Sequence, residues 1–600
     1  MLNNNKNFDH FFQPTNTETN YNDERISYKL TLRKQKIKET IYNKRGANSQ
    51  SNYFDFQFDE IKNDLCNEKD ILSGKFYNDL KKAYNTNNTL ELKNLLNSFS
   101  FFVNSQQMDI LKMKELLDIA DFSNNNKNKI EKRPFSPLCS LIFEIGINTE
   151  DKIIYLFSFK IILNFSYVSN DFCIEIINQK MINKIIEKLM HFFPVLTLKK
   201  IINHDNYKPI INNQEINNEE IEPYNFANTI LKLLGNLFMS VDSYQAFEEI
   251  NFYEKIFYLL CIFDINSFNI ENIYVGFDYF STLIWLTYLI IQNLENNISN
   301  YEDKITMILP NILKVIKTLY LTQETKLLED IIDLIQLIID FDDDNFIQKL
   351  IELDIINILS LLFGYLFPKE KNNGNSSSMD QKSTSIIELN SDIVDKILII
   401  FVNVFTVDSK YIKDLDLSDF YSKYEKLLDL YKLHHVNHYH IQDALVQILS
   451  NLACFEDVEQ IVQKFMMNNK IIVIIFNYYY KYHKLQTLQF IDNVLTKQSK
   501  EVKDFILNLG AFDIINKNIC EYNGNDIEII NLSVKILLKL IKDEKTFNLN
   551  SFLEKIYKTS IPDKIKELYL NKDIQLETEA ILKLIINNFE NYEKTSNINM

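Results

Sequence analysis

The chain has few of the residues that tight turns and ligand-cradling loops consume, with 9 Gly and 9 Pro in 600 positions. Strand-rich folds and catalytic loops depend on both, so this scarcity points to long helices joined by short polar connections. Motifs built on glycine are missing too. No GxxxxGK[ST], GxGxxG or GxSxG pattern occurs, and there is no HExxH, which excludes the familiar phosphate cradles, the nucleophile elbow and the zinc-protease helix. The six cysteines (Cys66, Cys139, Cys173, Cys261, Cys454, Cys520) never fall at CxxC spacing. They are expected to be reduced core thiols of an intracellular protein. No apolar stretch opens the chain, so no signal peptide is expected. The longest apolar run, Tyr279 to Ile291, is shorter than a bilayer-spanning helix requires. Net positive charge is missing as well: the formal charge of −17 argues against general affinity for nucleic acid and for basic partners.

Apolar residues are plentiful, at 46% with 44 Phe and 32 Tyr, enough for a continuous core. From about residue 50 the pattern is helical throughout. Polar breaks fall near 203–222, 294–303, 341–345 and 522–526, and the low-complexity stretch 369–385 (KEKNNGNSSSMDQKSTS) reads as a flexible insert, as does 203–222. The aromatic runs FNYYYKY (476–482) and SFSFF (98–102) read as core and partner surface. HHVNHYH (434–440) places His434 and His438 at i,i+4 spacing, but no Cys or carboxylate completes a metal set. No metal, no cofactor and no catalytic constellation is expected.

A faint repeat runs through the helices. FKIILNFSYVSNDFCIEIINQ (159–179), LKLLGNLFMSVDSYQAFEEI (231–250), LIIFVNVFTVDSKYIKDL (398–415), VQILSNLACFEDVEQIVQKF (446–465) and LQFIDNVLTKQSKEVKDFIL (488–507) share one theme. Each is an apolar helix with Asn near its end, a short polar turn and the start of another helix. The Asn residues are Asn164, Asn236, Asn403, Asn451 and Asn493, the last three 48 and 42 residues apart. Such a period fits stacked units of two or three helices. The expected fold is therefore all-α, an armadillo-type right-handed superhelical solenoid over residues 50–590 that buries a shared core and leaves a long binding face.

Charge is distributed unevenly. Residues 1–24 are polar and expected to be a disordered tail, and 591–600 a polar tail. Between the first tail and the solenoid, residues 25–47 form a flexible basic arm. Arg25, Lys29, Arg33, Lys34, Lys36, Lys38, Lys44 and Arg45 stand there against the single acid Glu39, giving +7 locally and −24 for the rest of the chain. Ile26, Leu30, Ile37 and Ile41 fall near helical spacing, so the arm is expected to form a helix on a partner.

These features resemble the importin alpha (karyopherin alpha) adaptors. LRKQKIKETIYNKR (32–45) is similar to the importin-beta-binding segment that opens those proteins. KLLGN (232–236) resembles their WALGN, ILSNLACFEDVEQIV (448–462) their Asn-bearing groove helix, and 505–541 their last repeats. The resemblance implies a nuclear import adaptor, not an enzyme, shuttling between cytoplasm and nucleus with nuclear pore association. It implies that Asn164, Asn236, Trp285, Asn403, Asn451 and Asn493 hold the backbone of a basic cargo peptide carrying a nuclear localisation signal. A carboxamide suits that role because it offers a donor and an acceptor to any peptide backbone. The eight basic arm residues would bind importin beta; neither nucleic acid nor membrane insertion is implied. Asp242, Asp408, Glu456 and Asp457 follow the repeat Asn residues and would attract a basic peptide.

The chain departs from the family one turn before each Asn. The family carries Trp there, whereas this chain has Lys160, Lys232, Ile399, Gln447 and Gln489. Its one tryptophan, Trp285, has Leu289 where Asn belongs. The alternative reading is a non-transport armadillo or HEAT scaffold that has lost recognition of nuclear localisation signals.

Overall fold

The computed structural model describes residues 70–71, 74–104, 137–168, 170–178, 180–192, 218–240, 244–268, 273–294, 298–322, 325–341, 344–363, 391–406, 411, 416–432, 438–455, 459–522, 526–547, 556–570, 582–587 and 589–590. The basic arm, the stretch 369–385, both predicted tails and the acids Asp242, Asp408, Glu456 and Asp457 lie outside the described residues. The chain divides into two compact units, one of residues 1–198 and 225–250 and one of residues 199–224 and 251–600.

The first unit contains α1 (Lys75–Asn85), α2 (Thr89–Asn104), α3 (Pro137–Asn148), α4 (Lys152–Val168), α5 (Asn170–Asn178), α6 (Ile182–Phe192), α7 (Asn218–Phe238, in this unit from residue 225) and α8 (Tyr244–Glu248). Helix α7 begins at Asn218, so the last residues of the predicted 203–222 insert are helical. Helices α1, α3 and α6 pack in one row, while α2 packs on α4 in another. Their core is aromatic: Phe76 and Phe99 ring centroids lie 4.9 Å apart, and Tyr155 and Phe159 4.5 Å apart.

The second unit contains α9 (Phe252–Ile262), α10 (Ile273–Asn293), α11 (Glu302–Thr322), α12 (Thr325–Ile339), α13 (Asp344–Glu352), α14 (Ile355–Leu362), α15 (Ser391–Val404), α16 (Ser418–Tyr431), α17 (Tyr439–Leu452), α18 (Glu459–Met466), α19 (Asn469–Ile474), α20 (Lys484–Lys497), α21 (Lys500–Ile506), α22 (Phe512–Cys520), α23 (Ile527–Phe547) and α24 (Ile561–Leu570). A wider π turn, Ile475–Tyr479, continues α19.

Two rows run through this unit. Helices α10, α12, α15, α17, α20 and α23 each pack on the next and form the ladder row. Helices α9, α11, α14, α16 and α19 form the back row in the same way, and α24 packs on α22. The last four ladder helices start 48, 45 and 43 residues apart, the period expected from the Asn spacing. Helix α10 is long and apolar enough to cross a membrane by length and composition alone. Twelve of its residues, among them Phe280, Leu283 and Ile290, are instead buried against neighbouring helices.

Within the units a short helix (α5, α13, α18 or α21) precedes α6, α14, α19 and α22, giving three-helix armadillo-type repeats. A residue with positive φ makes several of the bends between them, whereas Asn468 before α19 is extended (φ −79°). Lys180 (φ 54°), Asn251 (φ 50°), Asp354 (φ 64°) and Gly510 (φ 121°) stand just before α6, α9, α14 and α22, and Gly74 (φ 76°) before α1. At Lys180 its N–H donates to the Ile177 carbonyl, and the Met181 N–H donates to the Ile176 carbonyl, closing α5 as a Schellman cap. Each unit is thus an all-α, armadillo-type stack, with no strand element among the described residues.

Candidate partner-binding face

On each ladder helix the residues that are not buried recur every three or four positions, so they share one face. On α10 that stripe is Tyr274, Asp278, Ser281, Trp285, Tyr288 and Gln292, with Tyr274 56% exposed and Trp285 half-buried. On α12 it is Lys326, Glu329, Asp333, Gln336 and Asp340; on α17 it is His440, Asp443, Gln447 and Asn451. Helix α20 contributes Gln489, Asp492, Asn493 and Thr496. Three of the predicted contact residues, Trp285, Asn451 and Asn493, therefore lie on this face, and half-buried Asn403 lies on α15.

The amides are engaged within the chain. The Asn493 Nδ2 on α20 donates to the Ser450 carbonyl at 3.0 Å and the Ser450 hydroxyl at 2.9 Å on α17. The Asn451 Nδ2 on α17 donates to the Val402 carbonyl on α15 at 3.0 Å. In the first unit the Asn236 Nδ2 donates to the Ser166 hydroxyl at 2.8 Å, and that hydroxyl donates to the Leu163 carbonyl at 2.6 Å. Asn236 is only 1% exposed, and its Oδ1 is buried without a hydrogen-bond partner. Asn164 is half-buried on α4. Asn236, Asn451 and Asn493 thus each tie a ladder helix to the one before it.

Where Asn is missing, other side chains make equivalent ties that the sequence pattern did not reveal. The Ser281 hydroxyl on α10 donates to Asp330 on α12 at 2.9 Å. Lys396 on α15 sits 2.6 Å from Asp333 and 3.2 Å from Glu329, both on α12. Burial disfavours its ammonium, but those two carboxylates outweigh that and hold its pKa above the usual lysine value. Lys539 on α23 bonds Asp492 and Thr496 on α20. In the back row, Asn311 on α11 donates to the Leu260 and Phe263 carbonyls, the second at 2.7 Å, and so caps the end of α9. Glu329, Asp333 and Asp492 are therefore paired with a lysine of the following ladder helix.

His438 precedes α17, which starts at Tyr439, and His434 lies outside the described residues. No group of three or more His, Cys, Asp or Glu suited to a metal ion occurs among the described residues. Burial pushes the Cys261 thiol up to about 12, so it stays protonated at neutral pH.

No family model matches this chain, and no curated protein does. Solved structures are similar to it. An engineered protein is similar over 86% of this chain and 99% of its own, with 10% identity and a TM-score of 0.50. SYS-1, alone and in complex with POP-1, is similar over 85% of this chain and 84% of its own, with 12% identity and a TM-score of 0.47. At such identities the engineered protein speaks for the helical-repeat fold alone.

Proposed function

We propose that the chain is a non-catalytic helical-repeat scaffold that holds a partner protein against the exposed face of the ladder row. One observation carries this reading. The carboxamides of Asn236, Asn451 and Asn493, which a peptide-reading groove would offer to its ligand, donate to the preceding ladder helix instead. The stripe Tyr274, Trp285 and Tyr288 on α10 supports the same face as the interface, because aromatic side chains give large contact area at low entropic cost.

The second reading is a nuclear import adaptor with importin beta and basic cargo as partners, working between cytoplasm and nucleus. The basic arm favours it: eight cationic residues tethered to a body of charge −24 suit an acidic receptor. Two binding measurements separate the readings. The scaffold reading expects no binding of a labelled nuclear localisation peptide, and no importin beta retained by the intact chain. Importin beta captured by the intact chain and lost when Arg33, Lys34 and Lys36 are changed to Ala would favour the adaptor. Under the scaffold reading, cross-linking of the intact chain in cells is expected to capture a partner protein at α10 and α12. Cross-links confined to other faces would refute the proposed interface.

A further inference from the structure

The turn from α16 to α17 and the tyrosine run after α19 stand side by side. Back-row helices α16 and α19 pack on each other, and so do the ladder helices α17 and α20 that follow them. Within the tyrosine run, Tyr479 and Tyr480 turn inward: their hydroxyls donate to the Leu428 carbonyl at 3.0 Å and to the Asn518 Oδ1. Tyr478 faces out. It is 42% exposed, Leu430 near the end of α16 is also 42% exposed, and Tyr439, the first residue of α17, is 45% exposed. The Lys432 ammonium lies 5.9 Å from the Tyr478 ring centroid, which joins the two turns into one surface. Tyr439 adds the starts of the ladder helices, its ring 4.4 Å from that of His483 before α20.

The charge of this surface is opposite to that of the chain. The sequence carries 81 acids, yet residues 430–442 and 460–491 contain none. Lys432, Lys481 and Lys484 stand among the aromatic side chains, with Lys481 exposed. The acids that pair with these lysines sit at the rim: Asp429 is 2.5 Å from Lys432 and Asp526 is 4.0 Å from Lys484. Asp443, on α17, turns to Gln447 and to the His483 ring instead. Exposed tyrosine and leucine side chains gain by being covered, and tyrosine gives much contact area at little entropic cost. The surrounding cations then select the sign of what covers them. Nucleic acid needs a longer cationic track than three lysines on a body of net negative charge. A short peptide whose carboxylates flank apolar side chains meets both requirements.

We propose that the paired α16–α17 and α19–α20 turns form a docking surface for an acidic protein segment that carries aromatic or aliphatic anchors. Leu430, Tyr439 and Tyr478 receive the anchors, and Lys432, Lys481 and Lys484 face the carboxylates. The surface draws on helices other than α10 and α12, so its failure leaves the ladder-face reading untouched, and the reverse holds as well.

The test uses the full chain and a fluorescent peptide of three Glu-Glu-Phe units, read by anisotropy. This peptide is expected to bind, and peptides of three Lys-Lys-Phe or three Glu-Glu-Gly units and a short oligouridine are expected to bind about tenfold more weakly or worse. Lys481→Glu is expected to weaken binding about tenfold, as is the pair Leu430→Ala with Tyr478→Ala. Lys152→Glu, the same charge change at an exposed position on α4, is expected to leave it unaltered. Should a variant lose its helical circular dichroism, a photoreactive Phe in the peptide still reads the site, by labelling residues 430–440 and 477–484 of the parent chain. No binding, equal binding of the basic peptide, the glycine peptide or the oligouridine, unaltered binding by folded Lys481→Glu, or labelling confined to other helices overturns the proposal.

Discussion

Asn493 closes on Ser450 through two hydrogen bonds from a single amide nitrogen, one to the carbonyl and one to the hydroxyl. The carbonyl belongs to the last turn of α17, where helix geometry leaves C=O groups without an internal partner. Asn451 does the same for α15 through Val402. The amide thus caps one ladder helix from the next and fixes how the two repeats stack.

Asn493→Ala is expected to cost about 1 kcal/mol, since it leaves partly buried acceptors unpaired. In a repeat stack this loss stays local, so it reads out as roughly fivefold faster hydrogen exchange in α17 and α20, with α10 and α12 unchanged. Unaltered exchange in Asn493→Ala would mean that its amide is not a structural tie. Asn236→Ala, at a buried site, is expected to have the larger effect in the first unit.

The left-handed bends predict opposite signs at different positions. Gly510 has φ 121°, and an added Cβ would have 3.9 Å to Phe476, so Gly510→Ala is opposed by backbone strain rather than by a clash. A loss of about 1–3 kcal/mol is expected. Lys180 and Asp354 adopt positive φ despite their side chains. Lys180→Gly and Asp354→Gly are therefore expected to be stabilising by about 0.5–1 kcal/mol, read as slower exchange at the starts of α6 and α14. Destabilisation by both would show that the side chains matter more than the bend.

The repeat period and the rows were legible because apolar spacing and a recurring Asn both follow from stacking identical units. Asn164, Asn236, Asn403, Asn451 and Asn493 do mark the ends of five ladder-type helices, α4, α7, α15, α17 and α20. Their direction was not legible. A carboxamide that caps the helix behind it and one that grips a ligand carry the same letter at the same spacing, and only the distance to Ser450 or Val402 separates them. Nor was the bend visible, because Gly74, Lys180, Asn251, Asp354 and Gly510 share a backbone angle and no common side chain. The stitches at α12 use Asp330 and Lys396, which read as ordinary surface charge until the helices are placed side by side.

Acid sensitivity in the first unit is expected to centre on Asp151. Burial pushes its carboxyl up, yet the Lys93 ammonium at 2.6 Å and the N–H groups of Ile154 and Ile153 more than offset this and hold it below its usual value. A depressed carboxyl contributes stability that is present above its unfolded pKa, about 3.9, and is lost as pH falls through the folded value. Asp151→Ala removes both the cap of α4 and the ion pair with α2, at a cost of about 1 kcal/mol. Asp151→Asn keeps the capping oxygen and is expected to abolish only the acid-dependent part. Exchange of α4 measured from pH 6 down to about pH 2.5 checks this, and an identical acid profile in Asp151→Asn would exclude Asp151 as its source.

Lys396 offers the converse case on the ladder face. Its ammonium lies between Asp333 and Glu329, and its raised pKa means that the pair's stability is fully present below the ordinary lysine value, about 10.4, and is lost only as pH rises beyond the folded value. Across neutral pH the tie should therefore be insensitive to pH and sensitive to salt. Lys396→Met keeps most of the aliphatic stem and removes the charge, leaving two carboxylates one helical turn apart on α12. A loss of about 1 kcal/mol at low ionic strength is expected, shrinking as salt screens the remaining repulsion. The same substitution unmasks Glu329 and Asp333 on the proposed binding face, so an oligolysine peptide should bind Lys396→Met more tightly than the parent chain. Anisotropy titrations at low and high salt measure both chains side by side. Equal affinity at low salt would place those two acids outside the surface that a partner can reach.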